Sequence, residues 1–164
     1  MPRPRKPLAD WGRFIVGSLL FLLLSGASPL LGHPVDMEAL AMIESSNNPK
    51  AYNARSQARG LYQITPIVLK HWNQTHGDSA MVEDLFVPKE NTMIANWYLN
   101  WLYDRCLTVK DTLISYNWGI GHWRRWRKAI DKFPPTKEEL ELYGLPKETQ
   151  DYLDKYEKLT EEKL

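Results

Sequence analysis

The chain is organised around a stretch that reads Ala41-Met42-Ile43-Glu44-Ser45-Ser46-Asn47-Asn48-Pro49. Glu44 ends an apolar segment, and a polar turn follows it at once. A carboxyl group in this position is poorly solvated on one side, and desolvation raises its pKa by disfavouring the charged form. A carboxylic acid that stays protonated near neutral pH can act as a general acid. The ordinary alternative is an exposed glutamate in the last turn of a helix.

Length and charge predict one domain without a strong electrostatic preference. The 164 residues carry 21 Lys and Arg against 20 Asp and Glu, which leaves a net charge of +1. This balance gives no pull toward nucleic acid or an anionic membrane. Cys106 is the only cysteine, so an intrachain disulfide is impossible. We predict that Cys106 is a buried small hydrophobe and not a reactive thiol.

Residues 1–27 are typical of a secretory signal peptide, with basic residues before the apolar run 14–24 and small residues at 25–27. We predict cleavage after Ala27 and a linker over 28–34. An uncut anchor is the alternative, because an apolar run extended to Leu31 approaches the lower limit of about 17 residues for a bilayer span. In both cases the folded part lies outside the cytoplasm, in the periplasm or cell envelope, and contacts a membrane only if the anchor is uncut.

The remaining chain predicts a mostly α-helical single domain over residues 35–159, with a frayed tail at 160–164. Prolines, glycines and apolar periodicity predict helices at 35–46, 66–76, 88–105, 110–118, 120–132 and 146–159. Residues 50–65 are predicted to form a loop, and residues 136–145 a connector. The helix at 88–105 carries a stripe that should face the core, formed by Ile94, Trp97, Tyr98, Trp101, Leu102 and Arg105.

No metal or covalent-nucleophile motif is found. His71 and His76 are five residues apart and miss the spacing of the HExxH zinc motif. Neither a GxSxG motif nor a P-loop occurs. We therefore predict no cofactor and no metal, and serine hydrolysis and phosphoryl transfer have no support.

Three further motifs follow Glu44-Ser45 in order: Gly60-Leu61-Tyr62-Gln63, Ser115-Tyr116-Asn117-Trp118-Gly119 and Glu148-Thr149-Gln150-Asp151-Tyr152. A glycine such as Gly60 lets the backbone approach a ligand closely. The Gln63 amide offers both a donor and an acceptor to a sugar. Each motif alone is weak, but their order and spacing are informative together.

The set resembles the soluble-type lytic transglycosylase family, the SLT domain with a goose-type-lysozyme-like fold. That family carries Glu-Ser at the end of its first helix, followed by Gly-Leu-Met-Gln, Ala-Tyr-Asn and Glu-Thr-x-x-Tyr motifs. The resemblance covers residues 35–156, including the Asn48-Pro49 turn. Tyr62 in place of Met and Ser115 in place of Ala are departures. Tyr62 either adds a stacking face at a sugar subsite or fills the same volume.

The resemblance implies a lyase that cuts the β-1,4 bond between N-acetylmuramic acid and N-acetylglucosamine in peptidoglycan glycan strands and leaves a 1,6-anhydro ring. Glu44 would be the catalytic acid and then the base. The implied substrate-binding residues are Ser45, Gly60, Tyr62, Gln63, Tyr116, Asn117 and Tyr152. Among them, Gln63 and Asn117 would hold N-acetyl and hydroxyl groups, Tyr116 would line the cleft or pack in the core, and Tyr152 would donate its hydroxyl to Glu44.

Two rival functions stay open at this point. A hydrolytic lysozyme needs a second carboxylate, about 5–5.5 Å away in a retaining enzyme and about 6.5–9.5 Å away in an inverting one. The only acidic residues nearby on the helix, Asp36 and Glu38, lie one to two turns back. A catalytically inactive glycan-binding protein is the second rival. A compact exported member of the family also suggests service to a secretion, conjugation or pilus apparatus, or a phage-encoded role.

The segment 122–128 concentrates positive charge between tryptophans, and reads His122-Trp123-Arg124-Arg125-Trp126-Arg127-Lys128. The ordinary interpretation is a solvated helix face. The functional alternative is the rim of a subsite that attracts the lactyl and peptide carboxylates of peptidoglycan. Trp123 and Trp126 either stack on sugars or close the core.

Overall fold

Six α-helices and one 3-10 helix form the part of the chain that the computed structural model describes, which comprises residues 32–132 and 144–164. In chain order they are α1 Met37–Ser45, α2 Pro66–His76, the 3-10 helix Asp84–Phe86, α3 Pro88–Cys106, α4 Val109–Trp118, α5 Ile120–Lys132 and α6 Lys147–Thr160. The predicted signal peptide and most of the predicted 136–145 connector lie outside the described residues. None of the described helices is long and apolar enough to cross a membrane.

Helix α1 begins two residues later than predicted. The Asp36 carboxylate accepts hydrogen bonds from the backbone N–H groups of Glu38 (2.8 Å) and Ala39 (3.0 Å), so Asp36 is the N-cap. A capping aspartate has extended backbone dihedrals and therefore stands outside the helix. The prediction of a helix starting at residue 35 was wrong because it treated Asp36 as a first-turn residue.

The other helix ends follow the proline and glycine signals closely. Pro66 and Pro88 occupy the first turns of α2 and α3, where the missing N–H has no helical partner to lose. Gly77 ends α2 in the left-handed conformation at φ +64°. The Thr108 hydroxyl caps α4 through the N–H of Asp111 at 3.0 Å, so this helix starts one residue before the predicted position.

The loop between α1 and α2 contains two isolated antiparallel bridges, Tyr52 with Arg59 and Arg59 with Ile64. They fold residues 52–64 back on themselves without forming a sheet. The short 3-10 helix that precedes α3 was not predicted. It places Leu85, which is fully buried, beside this loop.

The core-facing side of α3 is rotated from the predicted stripe. Its buried residues are Asn91, Ile94, Ala95, Leu99, Leu102 and Cys106. Trp97 and Tyr98 are half-buried and pack at the edge of the core, while Trp101 carries the guanidinium of Arg105 at 3.9 Å from its ring centre. The aromatic side chains therefore form the margin of the core. The prediction that Cys106 is buried is confirmed.

The packing brings the two ends of the domain together. Helix α1 contacts α6, and α4 contacts α3, α5 and α6. The backbone N–H of Asp36 donates to the Tyr156 hydroxyl at 2.7 Å, and Tyr156 is fully buried. The backbone N–H of His33 donates to Asn100 Oδ1 at 2.7 Å, which fixes the start of the compact unit His33–Leu164. The first and last helices are thus held against the same core.

Candidate active site

Glu44 lies in the last turn of α1, where the chain leaves the helix through two left-handed residues. Ser46 and Asn47 have φ values of +54° and +59°, and their N–H groups donate to the carbonyls of Met42 and Ala41. This is the hydrogen-bonding pattern that commonly closes a helix C-terminus. The sharp turn leaves the Glu44 side chain half-buried at the end of the helix.

Among the described residues, the Glu44 carboxyl has one direct hydrogen-bond partner. The Tyr152 hydroxyl, from α6, donates a hydrogen bond of 2.6 Å to Glu44 Oε1, which is the contact that the sequence predicted. Burial raises the pKa of Glu44 from 4.5 to about 7, and the hydrogen bond from Tyr152 acts in the opposite direction. Burial is the larger effect, so a substantial fraction of Glu44 is protonated at neutral pH.

Tyr116 is a half-buried neighbour of Glu44. Its hydroxyl donates to the backbone carbonyl of Tyr62 at 2.7 Å, and its ring centre lies 5.8 Å from that of Tyr98. Burial first, and the neighbouring Glu44 second, raise the pKa of Tyr116 well above 10. The same two causes act on Tyr152. Both hydroxyls therefore remain protonated donors wherever Glu44 titrates.

Gly60 turns the 59–64 segment beneath the site. Its φ of +78° is accessible to glycine, and a Cβ at this position would lie 2.1 Å from the Leu85 carbonyl oxygen and 2.4 Å from Asn91 Nδ2. The close approach that we predicted at Gly60 is therefore made to the protein's own backbone. Contact of Gly60 with a substrate stays a prediction.

Asn91 is one of the residues that sequence reasoning missed. It is fully buried, and its side chain accepts from the N–H of Tyr62 (2.9 Å) and donates to the carbonyls of Arg59 and Leu85 (2.9 Å each). These three bonds fix the 59–64 turn against α3. A signal was present in the sequence, because Asn91 occupies the i−3 and i−4 positions relative to the buried Ile94 and Ala95.

Ser45 is engaged by the protein itself. Its hydroxyl oxygen lies 2.8 Å from the Leu61 carbonyl and 3.1 Å from the Ala41 carbonyl, and it accepts from the N–H of Asn48 at 3.1 Å. Ser45 therefore ties the end of α1 to the turn that follows and to the 60–63 segment. No hydrogen bond to Glu44 is present among the described contacts, and substrate contact stays a prediction.

Tyr62 and Gln63 follow Gly60 but face different environments. Tyr62 is only 6% exposed, so its ring fills volume in the core, which favours the second of the two predicted alternatives over a stacking face at a subsite. Gln63 is half-buried with φ +47°, and its Nε2 donates to the carbonyls of Gly60 (3.1 Å) and Ala51 (3.3 Å). Its Oε1 has no hydrogen-bond partner among the described residues and is left as an acceptor.

Asn117 is oriented by a residue of α6. The hydroxyl of Thr149, which is 1% exposed, donates to Asn117 Oδ1 at 2.9 Å. The Nδ2 group has no hydrogen-bond partner among residues 32–132 and 144–164, so its donors remain available. The Glu148-Thr149 motif had signalled this region, but sequence reasoning gave Thr149 no role.

Two acidic residues, Asp36 and Glu38, precede Glu44 at the start of α1. Asp36 lies eight residues before Glu44 on α1, about 12 Å along the axis at a rise of 1.5 Å per residue, and its carboxylate is occupied by the helix cap. That separation exceeds the carboxylate distances of retaining and inverting glycosidases. Glu38 is about 9 Å from Glu44 along the axis, but it lies about 120° around the helix and its side chain is exposed. In the described part of the chain, no three His, Cys, Asp or Glu side chains lie together as a possible metal site.

Several solved structures share this fold. An inactive mutant of the lytic transglycosylase Slt from Pseudomonas aeruginosa matches with a TM-score of 0.59 and 21% identity over 73% of this chain and 19% of its own. The 70 kDa soluble lytic transglycosylase from Escherichia coli matches with a TM-score of 0.55 and 24% identity over 76% of this chain and 21% of its own. The chain thus spans about a fifth of the length of either protein, and at this identity the likeness concerns the fold.

No curated protein matches the chain. The transglycosylase SLT domain family matches residues 33–138 of the chain. The match contains Glu44, the 60–63 segment and the 115–117 motif, and it leaves out α6 with Thr149 and Tyr152. The family resemblance read from the sequence is confirmed. This chain belongs to the transglycosylase SLT domain family.

Proposed function

We propose that this protein is a peptidoglycan lytic transglycosylase, which cleaves the β-1,4 bond between N-acetylmuramic acid and N-acetylglucosamine and leaves a 1,6-anhydromuramic acid end. One observation carries the proposal. Glu44 combines a pKa of about 7 with one hydrogen-bond partner in the described part of the chain, Tyr152, so one carboxyl group can give up a proton and take one back near neutral pH.

The reaction needs two proton transfers at Glu44. Protonated Glu44 donates to the glycosidic oxygen, and the bond from that oxygen to the muramyl anomeric carbon breaks. The muramyl 6-hydroxyl then attacks the anomeric carbon while Glu44, now a carboxylate, removes its proton. The substrate's own acetamido group stabilises the positive charge that develops at the anomeric carbon. Tyr152 holds the carboxyl in one rotamer and stabilises its charged form between the two transfers.

Three further side chains are proposed to bind the substrate. Asn117 Nδ2 would donate to an N-acetyl carbonyl, because Thr149 already occupies its Oδ1. Gln63 Oε1 would accept from a sugar hydroxyl or amide N–H, because its Nε2 is bound to the backbone. Tyr116 would form a wall of the substrate cleft next to Glu44.

The test is an analysis of the products combined with a matched pair of variants. Mass spectrometry of digested sacculi should find anhydro ends, and ends that have gained water would instead indicate a hydrolytic lysozyme. Glu44→Gln should lower turnover by a factor of at least about 100, because it removes the proton donor. Glu38→Gln makes the same charge change at an exposed position of α1 and should retain turnover within a factor of about two.

Binding to sacculi, measured by sedimentation, distinguishes a catalytically inactive glycan-binding protein from the proposed enzyme. If the wild type sediments with sacculi but releases no sugar product, the protein is a glycan-binding module. If Glu44→Gln digests sacculi as fast as the wild type, another residue is the acid.

We further propose that the protein is exported and acts in the cell envelope, on the strength of residues 1–27. A role beside a secretion, conjugation or pilus apparatus would suit a small exported enzyme of this kind. Amino-terminal sequencing of the protein from whole cells tests the export proposal. A chain that starts after Ala27 supports cleavage, and a chain that starts at Met1 in the membrane fraction supports an anchor.

A further inference from the structure

We propose that one exposed face of helix α5 binds the carboxylates of the stem peptides that peptidoglycan carries on its muramyl residues. This face, here the basic face, consists of Arg124, Arg125 and Lys128, all of which are exposed. The inference rests on the proposed function and specifies which part of the substrate this surface recognises.

The basic face is separated from the apolar side of the helix. At 100° per residue, Arg124, Arg125 and Lys128 lie within about 100° of arc around the helix axis. Trp123 and Trp126 lie on the opposite side, where Trp123 is 9% exposed and its Nε1 donates to Asp111 Oδ1 at 2.9 Å. The tryptophans therefore close the core, and Arg124, Arg125 and Lys128 face the solvent.

The charge of the basic face is not neutralised within the described part of the chain. The ion pair on α5 joins Arg127 to Asp131 at 3.7 Å, at the side of this face. Arg124, Arg125 and Lys128 have no carboxylate within ion-pair distance among residues 32–132 and 144–164. Three adjacent cations without counter-charges form a surface that attracts anions.

The basic face follows closely, along the chain, the end of α4 that carries Asn117. Helix α5 starts directly after Gly119, two residues beyond Asn117, and the Trp118 and His122 rings contact each other at 5.3 Å between centres. Arg125 Nη1 lies 3.9 Å from where a Cβ on Gly121 would stand, so this guanidinium reaches back toward the start of the helix. The 13-residue helix is about 20 Å long.

Stem peptides fit this arrangement by chemistry and by position. They are attached to the lactyl group of the same muramyl sugar that Glu44 would cleave, and they carry free carboxylates along their length. Guanidinium groups bind carboxylates through paired, charge-assisted hydrogen bonds. On this proposal, the peptide of a muramyl residue held at Glu44 would lie along Arg125 and Lys128.

An anionic membrane and a nucleic acid fit the basic face less well than stem peptides do. A helix that lies in a membrane interface needs an apolar face for the lipid, and the apolar face of α5 is buried through Trp123. Nucleic-acid binding domains usually carry a basic patch on a strongly basic domain, whereas this chain has a net charge of only +1. Peptide carboxylates require only the local charge that the basic face provides.

The experiment compares two forms of one substrate. Intact sacculi are compared with sacculi whose carboxylates have been converted to amides, which removes the charge and keeps the glycan. The variant Arg124→Gln/Arg125→Gln/Lys128→Gln is compared with Lys155→Gln/Lys158→Gln/Lys163→Gln, which makes the same charge change at exposed positions of α6 and the tail. Turnover and co-sedimentation are measured on both substrates, at low salt and at high salt.

We expect turnover and co-sedimentation of the wild type to be about tenfold higher on intact than on amidated sacculi. Three exposed ion pairs together account for a factor of about ten. The ratio should fall close to one in the basic-face variant and in high salt, where screening is strong, and stay at the wild-type value in the α6 control. An unchanged ratio in the basic-face variant, or an equal fall in both variants, overturns the proposal. Binding to phosphatidylglycerol vesicles is measured alongside. If the basic-face variant loses vesicle binding while its ratio of intact to amidated sacculi stays at the wild-type value, the proposal is overturned as well.

Failure of the proposed function is visible separately. If neither the wild type nor either variant releases sugar products from the two substrates, the proposal that the protein is an enzyme fails. The co-sedimentation ratio still decides whether the basic face recognises carboxylates.

Discussion

At the scale of single residues, Tyr152 is expected to set the pH at which Glu44 works. Its hydroxyl donates to Glu44 Oε1 and favours the charged carboxylate, while burial favours the neutral acid and is the larger effect. The protonated acid is required for catalysis, so kcat/KM should decline as the pH rises through about 7.

Tyr152→Phe should move this alkaline limb to higher pH, because the bond that lowers the Glu44 pKa is lost. The same change should reduce kcat/KM by about tenfold at the optimum, because the carboxyl is no longer held in one rotamer. Tyr156→Phe is the control, since Tyr156 lies one turn further along α6 and bonds to the N–H of Asp36 instead. A pH–rate profile for each variant decides, and a limb that shifts equally in both would refute the role of Tyr152.

Glu44 should also make stability depend on pH. Its folded-state pKa of about 7 lies above the ordinary 4.5, so the folded protein holds this proton more tightly than the unfolded chain. The resulting stabilisation is complete below about pH 4.5 and is lost as the pH rises through about 7. At 1.36 kcal/mol per pKa unit, the loss amounts to about 3 kcal/mol.

Glu44→Gln removes the titrating group and should therefore remove this loss. Relative to the wild type, the variant should gain about 3 kcal/mol in the free energy of unfolding between about pH 4.5 and pH 8. Urea unfolding at both ends of that range measures the change. Glu38→Gln, on the exposed side of the same helix, should show no such gain, and two parallel pH profiles for Glu44→Gln and wild type would contradict the assignment.

At the scale of elements, the 59–64 turn supports the site through contacts that a local pattern does not reveal. The prolines at 66 and 88 and the glycines at 77 and 119 act on their own neighbours, so the helix ends they produce could be predicted from the sequence. Asn91 acts on Arg59 and Tyr62, about 30 residues away, and no short-range signal identifies those partners. The start of α1 escaped prediction for a local reason, because an aspartate before a helix fits both a cap and a first turn.

The residues of the candidate site also differ in how well their contacts could be predicted from the sequence. Glu44 and Tyr152 are 108 residues apart, and their contact could be predicted because the family motifs name both residues. Ser45 and Gly60 also occur in those motifs, yet their visible contacts are with the protein's own backbone. A motif identifies residues that matter at a site, whereas only the structure shows whether they support the site or face it.

Gly60→Ala should destabilise this turn strongly. The new Cβ would meet the Leu85 carbonyl at 2.1 Å and would occupy a left-handed backbone conformation, and together we expect a loss of at least about 3 kcal/mol. Gly77→Ala is the matched control, because Gly77 is also left-handed and has nothing within 4 Å of its Cβ position. It should lose only about 1 kcal/mol. Urea unfolding of both variants tests the difference, and equal losses would show that backbone strain alone matters.

At the scale of the whole molecule, the family match ends before the folded unit does. The match stops at residue 138, whereas α6 covers Lys147–Thr160 and supplies the partner of Glu44. Tyr152, Leu153 and Tyr156 are all buried in the core. At about 1.5–3 kcal/mol for each of these three side chains, their removal costs about 4.5–9 kcal/mol, which is a large part of the total stability of about 5–15 kcal/mol of an ordinary domain.

A fragment of residues 33–138 should therefore fail to fold cooperatively, although it contains the whole family match and Glu44. A fragment of residues 33–164 should keep its fold, because His33 is bound to Asn100 and Asp36 to Tyr156 within it. Near-ultraviolet circular dichroism during heating, together with release of sugar products from sacculi, compares the two fragments. A cooperative thermal transition in the 33–138 fragment would show that α1 to α5 form a stable core alone. Product release by that fragment at the rate of the longer one would show in addition that Glu44 does not need Tyr152.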